Sequence, residues 1–482
     1  MRVLLVMVAC CMVMQNAISQ TLGEKIDSLI QITQCIRNSE VGVVVYDLNE
    51  GKEIYTYQSN KLFRPASVEK VITSVTALSV LGTDYSINTR LAYTGEIKNG
   101  ILNGNLYVVG DFDPEFMESD LDRMVKAVAD AGINRLNGQL IGDVSMMDSL
   151  YWGPGWSWDD TPEAFQPYYS PLMLNRGCVA VTVSPMAKGE RGEVHVTPES
   201  DYYTVENHSV TMRPREGGLE ITRGWLNNSN NIIVKGNVSR RSGRLVNMFD
   251  SKSMFMHTLR YKLIDKGVMK RGDSISWGVI PEELSGTMSG DSSAGKALEG
   301  NLHTVKRPLR QVLKRALKES DNLSAEALFF HAARRITGRT KDLNNSDGQD
   351  AIDRYMERNL DANPNNYEIT DGCGVSIYNL VSPDLLMKYL LYAYSKPEIF
   401  PVFFDALPVA GIDGTLKYRM QKTSAYRRIH AKTGTLTGVS SLAGYAMRTD
   451  GRKYAFVIIN QNLLKARPAR AFQDKVCELL ME

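Results

Sequence analysis

Both ends of this chain carry the same kind of pattern, and that constrains where its core can be. Near the start, Leu22 to Cys35 has apolar residues at helical spacing. A short apolar strand follows, Gly42 to Leu48, with Val43, Val45 and Tyr46 at its centre. Glu50-Gly51 is then a turn signal, and Glu53 to Gln58 reads as the returning strand. Near the finish, Ile429 to Leu436 reads as a strand. Leu442 to Met447 and Tyr454 to Asn460 flank a hairpin turn at Thr449-Asp450-Gly451, and Ala466 to Leu480 reads as an amphipathic helix. Helix and antiparallel strand at two distant ends are most simply satisfied in one α/β unit that both ends build.

The middle must then be carried on that unit. Leu91 to Val109 is strand-rich, and Leu121 to Ala131 is helical. From Val179 to Ser242 the chain runs through VAVTVSP, EVHVTP, YYTVE, SVTMRP, LEITRG and NIIVKGNV. Short strands at spacings of about ten residues predict a small all-β module. Asn344 to Gly348 (NNSDG) reads as a loop.

At 482 residues the chain has room for about three domains of ~150 residues, or one core with large insertions. Hydrophobic residues make up 43% and charged residues 23%, which excludes a disordered chain. The net charge of +2 and the lack of a basic–aromatic run give no reason to expect a nucleic-acid partner. The opening MRVLLVMVACCMVMQNAISQ has the layout of a secretory leader over residues 1–19. Arg2 is its positive end, Val3 to Met14 its apolar run, and Ala17 and Ser19 its small residues. A lipoprotein reading at Met7-Val8-Ala9-Cys10 ranks second. No other stretch approaches the ~18 apolar residues of a membrane span. Peripheral contact with a membrane is compatible with this composition, and oligomeric state is not readable. Beyond Cys10 and Cys11 the cysteines are Cys35, Cys178, Cys373 and Cys477, too far apart to read a pairing.

Three short motifs carry the chemistry: Ser67-Val68-Glu69-Lys70, Ser320-Asp321-Asn322 and Lys432-Thr433-Gly434. They match the SxxK, SDN and KTG set of active-site-serine enzymes. A serine hydroxyl is a poor nucleophile until a base takes its proton. Residues i and i+3 share a helix face, so Lys70 lies beside Ser67 and can act as its general base once desolvated. Helix-start N–H groups favour developing negative charge there. Ser320 can relay a proton to the leaving amine, and Asn322 can hold the substrate amide. Lys432 offers a positive charge for a substrate carboxylate, Thr433 a hydroxyl, and Thr435 a backbone N–H for an oxyanion. SxxK alone is weak: Ser293-Ala294-Gly295-Lys296 also matches, and Ser229-Asn230-Asn231 is a loose SxN. Ser293 lies in a polar, glycine-containing stretch, whereas Ser67 stands between a strand hairpin and an apolar helix. A given tripeptide such as KTG arises by chance in roughly one chain in fifteen of this length, so the ordered trio is specific. The bland readings are a helix cap at Ser67, a cap at Ser320 to Asn322, and a strand-end charge at Lys432. The six histidines form no metal spacing, there is no GxSxG elbow, and neither a metal nor an organic cofactor is expected.

On these residues the chain resembles the D-alanyl-D-alanine carboxypeptidase/endopeptidase family, the low-molecular-mass class C penicillin-binding proteins. FRPASVEKVITSVTAL, LNGNLYVVGDFDP, SDNLSAEAL, LPVAGIDGTLKYRM and AKTGTLTGVSSLAGY all fit its segments. The resemblance implies an α+β, transpeptidase-like core of antiparallel sheet flanked by helices, with two nested inserted domains, the inner one mostly β. That places the catalytic part at 20–87 and 296–482, a second domain at 88–178 and 263–295, and a β-rich third domain at 179–262. It implies peptidoglycan stem peptides as substrate, β-lactams as covalent inhibitors, and the periplasm as location. It also implies an acidic grip on the free amine of a diaminopimelate side chain. The segment Gly155 to Phe165 fits that role, with Asp160 and Phe165 chosen and Asp159 in reserve; a buried aromatic cluster with exposed aspartates is the alternative. The family often reads DGSGLS where this chain has Asp371-Gly372-Cys373-Gly374-Val375-Ser376, so Cys373 is a departure. A β-lactamase-like hydrolase and a low-turnover sensor of penicillin or wall fragments are the rival readings.

Overall fold

A computed structural model describes residues 20–214, 216–285 and 300–482. The leader-like segment and the second SxxK match, Ser293 to Lys296, lie outside the described residues.

The two ends of the chain meet in one antiparallel sheet. Its strand order is Ile429–Leu436, Val439–Met447, Lys453–Gln461, Glu40–Asp47 and Lys52–Tyr57. Both faces of this sheet are covered, which is why its central strands are apolar at nearly every position rather than alternating. Val43 and Val45 pack with Ile26, Ile30, Phe472 and Val476, contributed by helices at the two ends of the described chain. Val44, one residue between, points the other way into the main helical core. Two helices dominate that core, Glu69–Leu81 and Asn322–Thr337, packed against each other. The first is buried nearly all round. Val71, Ile72, Val75 and Leu78 are fully removed from water, worth about 1.5–3 kcal/mol each. The helix that follows Ser67 is therefore fixed by packing, not by propensity.

A second five-stranded sheet has the order Ile275–Trp277, Leu140–Asp143, Leu106–Val109, Ser86–Tyr93 and Asn301–Pro308. The last strand was expected with the catalytic part. It instead pairs antiparallel with Ser86–Tyr93, so the chain leaves this second sheet only at Pro308. The helix Ser251–Asp265, expected partly with the β-rich module, packs on the same sheet. The β-rich stretch itself forms two three-stranded sheets between Cys178 and Asn247. YYTVE and SVTMRP, read as two strands, supply a single one, Thr204–Val210.

Asn344 to Gly348 is not a loop. Asn344 caps the helix Asn345–Leu360, its side chain accepting from the N–H groups of Ser346 and Asp347, and Asp347 returns a bond to the Asn344 N–H. Gly348 sits inside that helix because a Cβ there would lie 2.0 Å from the ring of Phe329. A string of Asn, Ser, Asp and Gly is the signature of a cap as much as of a loop. Among the described residues no helix is long and apolar enough to cross a membrane.

Candidate active site

The three motifs converge between the helical core and the edge of the first sheet. Ser67 stands on a single 3-10 turn, Ala66–Val68, which leads into the helix Glu69–Leu81. Two glycines clamp that turn. Gly434 passes so close that a Cβ would lie 2.9 Å from the Pro65 carbonyl and 3.0 Å from the Ser67 nitrogen. On the other side Gly374, at φ +81°, would put a Cβ 2.1 Å from the Ala66 carbonyl. Ala66 itself holds φ at +51°, an uncommon value for a residue with a side chain. Ser441 Oγ donates to the Pro65 carbonyl at 2.7 Å and ties the turn to the sheet.

Lys70 Nζ lies 2.9 Å from Ser67 Oγ, 2.9 Å from Asn322 Oδ1 and 2.6 Å from the Cys373 carbonyl. It is completely buried, and desolvation pulls its pKa below the usual lysine value despite neighbouring Asp371, Glu326 and Glu69. The geometry suits a neutral amine. Its two N–H groups satisfy Asn322 and the Cys373 carbonyl, which leaves the lone pair aimed at the Ser67 hydroxyl. Cys373, the departure from the family pattern, therefore touches Lys70 through its main chain. Its thiol is buried among Asp371 and Glu326, and burial raises its pKa well above the usual thiol value. Cys373, Glu326 and Asp371 have a metal-like spacing, but Asp371 already accepts from the N–H groups of Gly374, Val375 and Ser376, from Asn379 Nδ2 and from Trp156 Nε1. That leaves its oxygens little capacity for a cation. Cys35, Cys178, Cys373 and Cys477 are all unpaired among the described residues.

Asn322 begins the helix Asn322–Thr337, which Asp321 caps by accepting from the Ser324 N–H at 2.8 Å. Capping falls to the middle residue of the motif, leaving its neighbours free. Asn322 Nδ2 donates to the Phe165 carbonyl at 3.0 Å and reaches Gln166 Oε1 at 3.3 Å. Ser320 is held at φ +58°, and its Oγ accepts from Lys432 Nζ at 2.8 Å. Lys432 also donates to the Thr433 carbonyl at 2.7 Å. It is fully buried, its pKa pushed well down by desolvation and then by Lys70. In this structure Lys432 is held against Ser320.

A cavity of about 460 Å³ takes a residue from each motif, Ser67, Ser320 and Thr433, and is also lined by Thr415, Thr435 and Tyr418. The strand Ile429–Leu436 is the outer strand of its sheet. The Ile429 carbonyl accepts from the Ala410 N–H and the Ala431 N–H donates to the Pro408 carbonyl, so odd-numbered residues turn their polar groups outward. By the same alternation the N–H of Thr435 faces off the sheet edge. Phe165 reaches the site through its carbonyl while its ring is half exposed. Asp160 ends a 3-10 turn, Trp158–Asp160. No described cation pairs with it, and partial burial with Asp159 and Glu163 nearby raises its pKa.

With this arrangement in hand, comparison with known proteins is direct. The sequence model of the D-Ala-D-Ala carboxypeptidase 3 (S13) family matches residues 22–482. The chain belongs to that family. It is 29% identical to the D-alanyl-D-alanine carboxypeptidase of Actinomadura sp. (strain R39), across 96% of this chain and 84% of that protein. It is 26% identical to the D-alanyl-D-alanine carboxypeptidase DacB of Haemophilus influenzae, across 87% and 85%. The crystal structure of penicillin binding protein 4 (dacB) from Haemophilus influenzae superposes with a TM-score of 0.78 at 25% identity, covering 95% of this chain and 99% of that one. This member of the S13 carboxypeptidases is a serine-type hydrolase with an α+β fold. Sequence reasoning missed roles for Gln166, Thr415, Tyr418, Glu326 and Asp371 in its site, although all but Gln166 stood within segments already singled out.

Proposed function

We propose that this enzyme cleaves the D-alanine bond of peptidoglycan stem peptides in the periplasm, with Ser67 as nucleophile and Lys70 as its general base. Ser67 Oγ attacks the carbonyl as its proton passes to Lys70, and the oxyanion is received by the N–H groups of Ser67 and Thr435. Ser320, bridged to Lys432, passes a proton to the leaving amine. Asn322 orients Lys70 and the donor amide. Water then resolves the acyl-enzyme. Release of a terminal D-alanine is carboxypeptidase action; release of a diaminopimelate amine is endopeptidase action. Asp160 takes the free side-chain amine of the donor, against Phe165. β-Lactams acylate the same hydroxyl. The leader-like N-terminus supports export, and the sheets described above support a catalytic part built from both ends with the β-rich module nested in an inserted second part.

The observation that carries this reading is Lys70 Nζ at 2.9 Å from Ser67 Oγ, at a cavity that Ser320 and Thr433 share. The deciding experiment is D-alanine release from a stem pentapeptide, present in the wild type and lost in Ser67→Ala. A wild type that binds labelled penicillin but frees no D-alanine would instead be a low-turnover sensor.

A further inference from the structure

The middle of the chain reaches the second motif at Asn322, through the Phe165 carbonyl. It reaches the motif again at Asp321, where Arg176 Nη2 pairs with Oδ2; the carboxylate is buried and the arginine mostly so. Capping the helix does not require that pair. Asp321 Oδ1 alone accepts from the Ser324 N–H at 2.8 Å and from Ser324 Oγ at 2.6 Å, which leaves Oδ2 to Arg176.

Both sides of the contact are strained. Ser320, next to Asp321, holds φ at +58°, and Asn175 and Arg176 hold +47° and +62° in succession. Residues with a side chain seldom adopt such values, and keep them only where the surroundings over-determine them. Around Arg176 those surroundings belong to the middle of the chain. Asn175 donates its N–H to the Phe116 carbonyl at 2.9 Å, and its Oδ1 accepts from the Glu118 N–H at 2.8 Å. The Gly177 carbonyl accepts from the Met248 N–H at 2.8 Å, just past the strand Ser242–Asn247 of the β-rich module. Around Ser320 they are Lys432, bonded to its hydroxyl, and Arg176, acting through Asp321. Strain of this kind collects at functional sites.

We propose that Arg176 is a positioning residue for the proton relay: by holding Asp321 it fixes the left-handed turn at Ser320, and with it the hydroxyl that serves the leaving amine. This rests on the peptidase reading above. The proton that Ser67 gives up reaches the nitrogen through Ser320 as the C–N bond breaks. Arg176 acts through Asp321 and transfers no proton itself.

A leaving group that needs no proton separates this role from general support of the fold. An amine must be protonated to depart, whereas a thiol, of pKa about 8.5, departs as thiolate. The test gives wild type and Arg176→Gln one acyl-D-alanyl donor in two forms, joined to D-alanine as an amide and to mercaptoacetate as a thioester. Arg176→Gln should lose about 10- to 100-fold in kcat/KM on the amide and less than about threefold on the thioester. Asp321→Asn keeps a capping side chain and should show the same selective loss. Combined with Arg176→Gln it should lose no more than either change alone. Arg176→Lys, which keeps the charge, should recover part of the amide activity. Melting curves check the fold, and the lysine and asparagine variants carry the test should the glutamine variant melt early. An equal loss on both substrates, or no loss on the amide, overturns the assignment of Arg176 alone. A wild type that cleaves the thioester but not the amide, or cleaves neither, overturns the peptidase reading and this assignment with it.

Discussion

The two walls of the cavity are built differently. On the helix side, Lys70, Asn322 and the Cys373 carbonyl are buried and tied to one another by bonds of 2.6 to 2.9 Å. Behind them lie Glu69, Glu326 and Asp371, buried as well. On the strand side, Thr415, Tyr418, Thr435 and Arg470 are exposed, and Thr435 and Arg470 hold each other by a single side-chain bond. Position and protonation are over-determined on one wall, while the other is open and thinly bonded. Such a division suits an enzyme that runs one chemistry on substrates of varying length: the reacting groups are fixed before substrate arrives, and recognition is left to groups that can be altered without disturbing them.

Changes to the helix wall should therefore cost most. Ser67→Ala is expected to lower D-alanine release by ~10⁴-fold or more and to abolish labelling by penicillin. Retained labelling would place the nucleophile elsewhere. Lys70→Met keeps the volume and removes the base; acylation should slow by ~10³-fold, read by stopped-flow with a chromogenic β-lactam. On the substrate-facing side the effects should be smaller and selective. Asp160→Asn should cost about tenfold in kcat/KM on stem peptides with a free side-chain amine and nothing on the same peptides acetylated. Equal loss on both would make Asp160 structural. Thr415→Val, which removes the bond to Thr433, should cost roughly fivefold, mostly in KM. A larger fall in kcat would show that the strand wall is less adjustable than its bonding suggests.

The smallest effect is on stability. Burial, with Asp371 nearby, raises the Glu326 pKa to about 8 from a usual value of 4.5. Between those values the folded protein keeps a proton that the unfolded chain gives up. Stability from this group is therefore full below about pH 4.5 and lost as pH rises through 8. Buried His331 and half-buried His430, both lowered to about 4, act with the opposite sign below pH 6.5, where they lose stability as pH falls. The difference in melting temperature between wild type and Glu326→Gln isolates the carboxyl: the wild type should lose a few degrees more than the variant from pH 5 to pH 8.

What could be read from sequence was what is local. Ser67 and Lys70 lie one turn apart, Ser320 to Asn322 are adjacent, and the strand Ile429–Leu436 has the bounds its apolar pattern gives. The convergence of the motifs followed because order and spacing matched a known family. Arg470 could not be found that way. It sits at the far end of the chain, reaches the cavity only because its helix crosses the sheet edge, and looks in sequence like any solvated arginine. Gln166 stands outside every singled-out segment and Glu326 inside one, but only the folded arrangement buries Gln166 against Asn322 and Glu326 near Lys70. Asn301–Pro308 was assigned to the wrong part because a single strand carries no mark of the sheet it will join. The bond from Lys432 to Ser320 was not legible either: sequence gives a charge, and only the fold shows what that charge is buried against.

The outward alternation of the strand Ile429–Leu436 has a consequence of its own. Soluble proteins usually blunt such an exposed edge, because a row of open N–H and C=O groups welcomes any extended chain. Here the stretch beyond Ala431 faces the cavity, and what it can read is main chain, which every peptide has. An edge of that kind is indifferent to sequence. It docks whatever lies extended along it and leaves discrimination to whatever stands at its two ends.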